Sequence, residues 1–436
     1  MFLIYLPAAS PRCEYIFKKI FTEEFGIGYK VTTDVSTFEN YAEEKLNYSN
    51  QRFSDEFFIK SSGLLFENFI ADKDVVVEEE NGVKILFGND NPCDLGFDIF
   101  SAVFYMLSRY EEYLPFSADQ YGRYAATNSL AYTQKFLQIA VVDHWILNLK
   151  QILINRFPLL QFKPSKFEII LTYDIDVAYK FKGRSIIRNA GAIVKDIVQL
   201  NFENLSSRNK TLTDQLNDPW DTYQYVREII KGNNFQSIFF FLLGDRSAHD
   251  RNLNYERDEM HALINEIKSF SDIGIHPSFK SSLATVKILQ EKKRLETISG
   301  KNINKSRQHF LKFKLPNTYN ALADAGIEQE YSMGYPYVAG FRAGTSKPFY
   351  FYDLKNESAT NLKVFPVTFM DGNFMQEKNV SSKNVLRQIA ELISEVKSVE
   401  GTFISIWHNH TVSNTKDFKK WRQIHDQMVM LLKDKA

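Results

Sequence analysis

Short apolar runs alternate with helical patterns over about 270 residues of the chain, and this alternation restricts the fold more than any other feature. The runs are apolar enough to be buried on both faces, as the strands of a parallel sheet are. The helical patterns between them supply the crossovers that parallel strands need. Seven runs behave in this way, at residues 168–176, 237–244, 272–278, 307–313, 339–344, 363–371 and 402–410. We therefore expect an α/β domain whose strands, about seven in number, form a distorted (β/α) barrel.

The part of the chain that precedes this alternation has a different pattern. Its predicted strands and helices alternate less regularly, and residues 75–88 are typical of a hairpin because the pair Asn81-Gly82 suits a tight turn. Prolines near residue 160 then interrupt a helical pattern. The sequence predicts two domains, a smaller α+β domain over 1–160 and the larger α/β domain over 165–436.

Composition and charge argue against several classes of protein. The chain has 53 basic and 53 acidic residues, so no net charge attracts it to nucleic acid or to an anionic membrane. Two cysteines are too few for a disulfide framework, and no window approaches the roughly 18 apolar residues of a membrane span. We expect a soluble, cytoplasmic protein without a nucleotide cofactor, since no phosphate-binding glycine motif is present. No feature of the sequence predicts an oligomeric state.

Polar side chains fall at the ends of the apolar runs. Asp174 and Asp176 are two residues apart, so both face one side of the first predicted strand. The corresponding ends of later runs carry His276, His309, Arg342, Asp371, His408 and His410. Any one of these residues has an ordinary structural explanation, as a turn former or a hydrogen-bonded histidine. In barrel enzymes the C-terminal strand ends form the active site, so their recurrence there predicts a site.

Five motifs in this part of the chain, TYDID, IGIHPS, FRAGT, VFPVTFMD and SIWHNH, follow one another in a familiar order. Their order resembles the five sequence blocks of the polysaccharide deacetylases, carbohydrate esterase family 4, over about residues 167–434. The resemblance implies a distorted (β/α) barrel that removes N-acetyl groups from amino sugars of a bacterial surface polysaccharide or its precursor. Residues 1–160 resemble an uncharacterised amino-terminal domain that accompanies such deacetylases in some bacteria.

The first motif has the Asp-x-Asp form, which resembles the branch of the family in which the first Asp is the base and the second a metal ligand. The resemblance thus implies Asp174 as the base and Asp176, with His276, as ligands of Zn²⁺ or another divalent ion. Bound Zn²⁺ suits amide hydrolysis because it lowers the pKa of water to about 7. Arg342 is expected to pair with Asp174 and to hold that carboxylate in place.

The last two motifs supply the acid. His408 occupies the histidine position of its block, which implies that it protonates the departing amine, and Asp371 is expected to hold the imidazole tautomer. His410 lies two residues further along the same strand face, so it is expected either to touch the substrate or to be an ordinary loop histidine.

One motif departs from the family pattern and leaves the metal one ligand short. In the family a second histidine follows the first by four residues, where this sequence has Lys280. Catalytic zinc usually has three protein ligands, and we expect His309 to be the third, because neighbouring strands bring their ends close. The alternative is that His309 is structural and that Lys280 neutralises Asp174 or Asp176 in a pocket that binds substrate without cutting it.

Three hypotheses on function follow. The first is a metal-dependent amino-sugar deacetylase with a carbohydrate substrate. The second is a degenerate deacetylase barrel that binds carbohydrate without hydrolysis. The third is a hydrolase of another non-peptide C–N bond, because one barrel fold hosts many chemistries.

The segment 181–210 is longer than a barrel loop needs. Its apolar residues recur at helical spacing, with Lys and Arg on the other side. We expect this face to pack on the protein itself. The alternatives are a cover over the cleft, a partner or a membrane surface.

Overall fold

The computed structural model describes residues 1–80, 82–89, 93–282, 284–376 and 380–433. The backbone divides into two compact units. The first unit contains Met1–Glu168, Gly340–Pro366 and Glu395–Thr402, and the second contains Ile169–Ala339, Val367–Ser394 and the chain from Phe403 onward. The first unit is therefore not continuous in sequence, whereas the prediction divided the chain once, between residues 160 and 165.

The strands are short. In chain order they are β1 Phe2–Tyr5, β2 Tyr29–Thr32, β3 Lys45–Ser49, β4 Phe57–Lys60, β5 Val77–Glu80, β6 Val83–Leu86, β7 Glu168–Ile175, β8 Gln236–Phe241, β9 Asp272–Ile275, β10 Lys305–Ser306, β11 Gln329–Glu330, β12 Phe349–Asp353, β13 Ser358–Val364, β14 Phe369–Met370 and β15 Thr402–His408.

The helices follow in the same order. They are α1 Pro11–Phe17, α2 Val35–Glu39, α3 Ile99–Leu107, α4 Leu130–Thr133, α5 Val141–Arg156, α6 Ile186–Val198, α7 Phe202–Leu212, α8 Tyr223–Asn233, α9 Asp258–Ile267, α10 Thr285–Ser299, α11 Asn317–Asp324, α12 Asp371–Phe374, α13 Ser382–Ser398 and α14 Lys419–Lys433. A π-helical turn, Lys18–Phe25, continues α1. Over the residues described, no helix has both the length and the unbroken apolar sequence of a bilayer crossing.

The first unit has a parallel sheet of order β2-β1-β3-β4 and an aromatic core. Every residue of α3 is buried, and Asp98 caps this helix by accepting a hydrogen bond from the Ser101 amide, 3.0 Å long. The ring of Phe100, on α3, lies 4.9 Å from that of Phe17 and 5.0 Å from that of Tyr48. Rings at these centroid distances stabilise a core beyond the area that they bury.

The predicted hairpin of the first unit is present as the antiparallel pair of β5 and β6, in which Val77 faces Leu86 and Glu80 faces Val83. Gly82 has a φ of +79°, the left-handed conformation that glycine adopts without a steric penalty. Asn81, the other predicted turn residue, lies outside the described residues.

In the second unit, seven strands lie side by side in the order β11-β10-β9-β8-β7-β15-β14, counted over the described residues. The pairs β7–β8, β8–β9, β9–β10, β10–β11 and β14–β15 are parallel. The mixed α/β class is therefore confirmed. The strand order is linear within the described chain, so closure into a barrel stays a prediction.

Two of the predicted strands are not strands. The run 307–313 begins after β10 has ended, and it forms a 3₁₀ turn in which Phe310 and Leu311 have positive φ values of 63° and 48°. The run 339–344 contains turns and opens a stretch of the first unit. The two-residue strand β11 joins the sheet instead, and it is too short to show any alternation in the sequence.

The aromatic core of the first unit allows a test by truncation. We expect Phe100→Ala to lower the free energy of unfolding by about 3–5 kcal/mol, because it leaves a cavity among packed rings. Phe69→Ala is the matched control, since 55% of the Phe69 surface is exposed, and its effect should stay below about 0.5 kcal/mol. Urea denaturation of both variants measures the difference. Equal losses would contradict this description of the core.

Candidate metal centre

Three side chains that can bind a metal meet at the C-terminal ends of neighbouring strands. Asp176 directly follows β7, His276 directly follows β9, and His309 lies in the 3₁₀ turn after β10. One ligand atom from each lies within 4.8 Å of the other two. His276 Nε2 is 3.2 Å from Asp176 Oδ1, and His309 Nε2 is 3.5 Å from Asp176 Oδ2. Ligands of a tetrahedral zinc ion are roughly 3.3 Å apart, so these groups fit one such ion.

The tautomer of His276 is set by a backbone carbonyl. Its Nδ1 donates a hydrogen bond to the Arg307 carbonyl oxygen, 2.6 Å away, because a carbonyl can only accept. Nε2 of the same ring lies 3.2 Å from Asp176 Oδ1, which is buried and has no hydrogen-bond partner among the described residues. A ring nitrogen and a carboxylate oxygen this close need a cation between them. The orphaned oxygen therefore supports a cation site, for a metal ion or a proton.

His309 is held from behind by a buried carboxylate. Its Nδ1 is 2.9 Å from Asp250 Oδ1, and Asp250 also accepts hydrogen bonds from the Ser247 hydroxyl and the Phe279 amide, at 2.6 and 2.8 Å. A carboxylate behind a ligating histidine is the usual outer shell of a metal site. Burial disfavours the charged ring, but Asp176 and Asp250 outweigh that effect and raise the pKa of His309 to about 9.

A second carboxylate stands beside these ligands and is fixed by an arginine. Arg307 Nη1 donates to Asp174 Oδ1 at 2.8 Å, and Arg307 Nε donates to the Tyr331 carbonyl at 3.0 Å. The guanidinium also lies 4.4 Å from the centre of the Phe240 ring. Asp174 Oδ2 is then 3.8 Å from His276 Nε2. One oxygen of Asp174 is thus engaged by Arg307, and the other lies towards the cation site.

Near Asp176 Oδ2, the oxygen that His309 also approaches, lies a histidine with its own carboxylate. His408 Nδ1 is 2.9 Å from Asp371 Oδ1, and the Thr411 hydroxyl donates to the same carboxylate. His408 Nε2 is 3.5 Å from Asp176 Oδ2. Burial opposes a charge on His408, but Asp371, Asp176 and Asp174 outweigh it and raise the pKa of His408 to about 10. In the metal-free protein at neutral pH, this ring carries two protons.

His410 has the opposite character. Its ring lies between Trp220 and Phe418, with both centroid distances 5.2 Å, and 5.5 Å from the ring of His408. Burial, and then the charge of His408, lower the pKa of His410 to about 4. It is therefore a neutral imidazole beside the site, and whether it touches a substrate stays a prediction.

Arg342 and Lys280 lie in places that the sequence did not predict. Arg342 belongs to the first unit, where its Nε and Nη2 donate to Glu112 at 2.9 and 2.7 Å. The guanidinium that pairs with Asp174 is that of Arg307, because residues 339–344 form no strand of the site-bearing sheet. Lys280 is exposed in the turn after β9.

Sequence reasoning missed two residues of the site, Arg307 and Asp250. Arg307 stands two positions before His309 in the same predicted run. Side chains two apart share one face of an extended chain, so this spacing could have placed Arg307 beside His309. Asp250 lies in a polar loop without periodicity, so only the three-dimensional structure identifies it.

Comparisons with known proteins give one family match and several similar solved structures. Residues 2–158 match DUF7033, a family of unknown function. No curated protein matches the chain. Among solved structures, a candidate polysaccharide deacetylase from Mycobacterium smegmatis has a TM-score of 0.39 at 12% identity, over 62% of this chain and 86% of the other.

Two further solved structures are similar over the same share of the chain. The polysaccharide deacetylase Bc1974 from Bacillus cereus has a TM-score of 0.32 at 10% identity, over 62% of this chain and 89% of the other. The protein BA3943 from Bacillus anthracis, a CE4 family pseudoenzyme, has a TM-score of 0.32 at 10% identity, over 63% of each chain.

The raised pKa of His309 predicts that metal binding releases a proton. At pH 7 the metal-free ring is protonated, and Nε2 must lose its proton to become a ligand. We expect the apparent affinity for Zn²⁺ to rise nearly tenfold per pH unit between pH 6 and 8. Titration calorimetry at pH 7 in buffers of different ionisation enthalpy should show about one proton released per ion.

The control for this experiment is His261→Ala, which removes a half-buried histidine of α9 outside the ligand set and should leave affinity and proton release unchanged. His309→Ala should abolish the release and weaken binding at least a hundredfold. An affinity that does not change between pH 6 and 8 would argue against His309 as a ligand.

The position of Arg342 predicts a structural effect. We expect Arg342→Leu to lower the free energy of unfolding by about 3–5 kcal/mol, because Glu112 loses a principal buried charge partner. Arg387→Leu is the control, since its pair with Glu391 is mostly exposed and contributes at most about 1 kcal/mol. Urea denaturation compares the two. An Arg342→Leu variant with unchanged stability and lost activity would instead favour the catalytic role that the sequence predicted.

Proposed function

We propose that the second unit is a divalent-metal-dependent hydrolase that removes an N-acetyl or similar acyl group from an amino sugar of a surface polysaccharide or its precursor. The observation that carries the proposal is the position of Asp176. Its carboxylate lies within 3.5 Å of His276, His309 and His408, two of which complete a metal donor set while the third is a histidine held protonated.

Asp176, His276 and His309 would hold the ion, which the orphaned oxygen of Asp176 and the ligand spacing support. A bound divalent cation supplies Lewis-acid polarisation of a carbonyl and lowers the pKa of water. The binding-only hypothesis was motivated by Lys280 in place of a ligand. It loses that motivation because His309 offers the third ligand and Lys280 is exposed.

Asp174 acts as the general base in this proposal. Arg307 fixes one of its oxygens, which leaves the other, near His276, to accept a proton from the attacking water. A base that is buried and held in place needs little reorganisation when the proton moves.

His408 acts as the general acid. Asp371 holds its Nδ1 proton, so the Nε2 proton is available for transfer to the nitrogen of the breaking amide bond. Water thus supplies a hydroxyl group to the acyl carbon, its proton passes to Asp174, and the proton of His408 makes the leaving group a neutral amine. As the C–N bond breaks, the products are an amino sugar and a carboxylic acid, and the acid ionises to a carboxylate by releasing its proton to solvent. Asp174 then gives up its proton to solvent and His408 takes one back before the next cycle.

The amino-sugar substrate is proposed from the resemblance of the five motifs to those of the polysaccharide deacetylases. Nothing in the donor set itself distinguishes an N-acetyl group from another non-peptide amide. That alternative is therefore an outcome of the experiment below.

Asp174→Asn tests the proposal most directly. We expect acetate release from N-acetylated glucosamine oligomers to fall about 10²–10⁴-fold, because the variant lacks the base. Its zinc content should stay at the wild-type level, since Asp174 is not one of the three ligands. Asp272→Asn is the matched control, because it changes an exposed aspartate at the start of β9.

Several results would contradict the proposal. Zinc-loaded wild-type protein that releases no acetate, yet cleaves another amide in a way that requires Asp174, would point to a different C–N bond. Glycan binding that survives chelation, without hydrolysis of any substrate, would favour the degenerate barrel. Activity retained in Asp174→Asn would remove Asp174 from the mechanism.

A further inference from the structure

Helix α6 exposes its apolar face and buries a polar one, which reverses the usual arrangement of a surface helix. Ile187, Val194 and Val198 are spaced seven and four residues apart and so share one face. Their exposed fractions are 85%, 60% and 76%. Asp196, on the other side of the helix, is buried and accepts a hydrogen bond of 2.8 Å from Arg208 of α7.

The exposed face continues past the end of the helix. Ile197, in the last turn of α6, is 50% exposed, and Leu200 and Phe202, beyond the helix, are 72% and 62% exposed. We call the exposed apolar surface of this segment the α6 patch; it consists of Ile187, Val194, Ile197, Val198, Leu200 and Phe202. Single exposed apolar residues are ordinary, but a connected group of this kind marks an interaction surface. The structure therefore contradicts the expectation that this face packs on the protein itself.

The surroundings of the α6 patch are basic, although the whole chain has no net charge. Residues 180–212 contain seven basic and two acidic residues. Arg188 and Lys195 lie seven residues apart, on one flank of α6 beside the apolar face. Arg188 is also near Arg246, because burial and the charges of Arg188 and Arg251 lower the pKa of Arg246.

Both ends of this segment are held firmly. The Asp218 carboxylate accepts hydrogen bonds from the amides of residues 180–182, at 2.7 to 3.0 Å. Beyond its other end, the Trp220 carbonyl accepts a hydrogen bond of 3.2 Å from the side-chain amide of Asn409, the neighbour of His408. The α6 patch therefore lies on a segment of the chain that is anchored by hydrogen bonds near the candidate site.

We propose that the α6 patch docks on the surface of an anionic lipid bilayer. The apolar side chains would enter the boundary between headgroups and acyl chains, and Arg188 and Lys195 would contact the anionic headgroups. A second copy of this chain fits less well. A two-fold interface through the same patch brings the basic flanks of both copies together, and like charges oppose association. The proposal does not depend on the reaction proposed above, because no residue of the patch belongs to the metal centre.

Vesicle flotation of the full chain tests the apolar part of the proposal. We expect the wild type to float with vesicles of phosphatidylcholine and phosphatidylglycerol at 0.1 M salt, and Val194→Asp to lower the partition coefficient at least tenfold. Val286→Asp is the matched control, because Val286 is a valine of α10 that is 68% exposed. It should float as the wild type does. Circular dichroism checks that both variants are folded.

The basic flank is tested in the same assay. We expect the double variant Arg188→Glu and Lys195→Glu to bind the anionic vesicles at least tenfold less, because each cation near such a surface contributes roughly fivefold to binding. Lys287→Glu, an exposed change on α10, is the control for charge reversal. Wild-type binding should also weaken at 0.5 M salt and on pure phosphatidylcholine.

Four results would overturn the proposal. The first is a wild type that floats with neither vesicle. The second is equal loss in Val194→Asp and Val286→Asp, and the third is binding that depends on neither salt nor anionic lipid. The fourth is a dimeric wild type that Val194→Asp makes monomeric, without any flotation, since a second copy would then cover the patch. Acetate release measured in parallel separates these results from the fate of the proposed reaction.

Discussion

A guanidinium with no exposed surface needs partners for its charge, and Arg307 finds them in the carboxylate of Asp174, a backbone carbonyl and an aromatic face. The same residue sets the tautomer of His276 through its own carbonyl oxygen, and it stands two positions before His309. Arg307 therefore fixes the proposed base with its side chain and orients one proposed metal ligand with its backbone carbonyl. Because an unpaired buried charge costs several kcal/mol, the positions of Arg307 and Asp174 are coupled.

Carboxylates are paired with cationic or imidazole groups in the rest of the site as well. Asp176 lies among three imidazoles, and Asp250 and Asp371 each stand behind one of them. The carboxylates outweigh burial, so His309 and His408 both have raised pKa values, whereas burial and the charge of His408 lower the pKa of His410. At neutral pH His408 is therefore charged and His410 is neutral, and of these two only His408 pairs with a carboxylate among the described residues.

The sequence predicted most reliably the site residues that lie at the ends of regular, apolar strands. The paired aspartates after the first long strand and the histidine after β9 could be placed because their strands are apolar and regular. His309 reached the site from a turn, although it was assigned to a strand. Arg342 was misplaced because the chain leaves the site-bearing unit at residue 340. The periodicity of a sequence does not show where the chain passes from one unit to the other. It also does not show which face of an amphipathic helix is exposed, so the exposed apolar face of α6 could not be predicted.

The interleaving of the two units has a consequence for how such a protein can evolve. A gene divided between codons 160 and 165 separates Glu112 from Arg342, and also Asp143 from Ser346, although both pairs lie within the first unit. Each fragment would carry one half of both buried polar pairs. A fragment that begins at residue 165 would hold Arg342 and Ser346 without the carboxylates of Glu112 and Asp143. Transfer of that fragment to another protein would therefore require new partners for both residues.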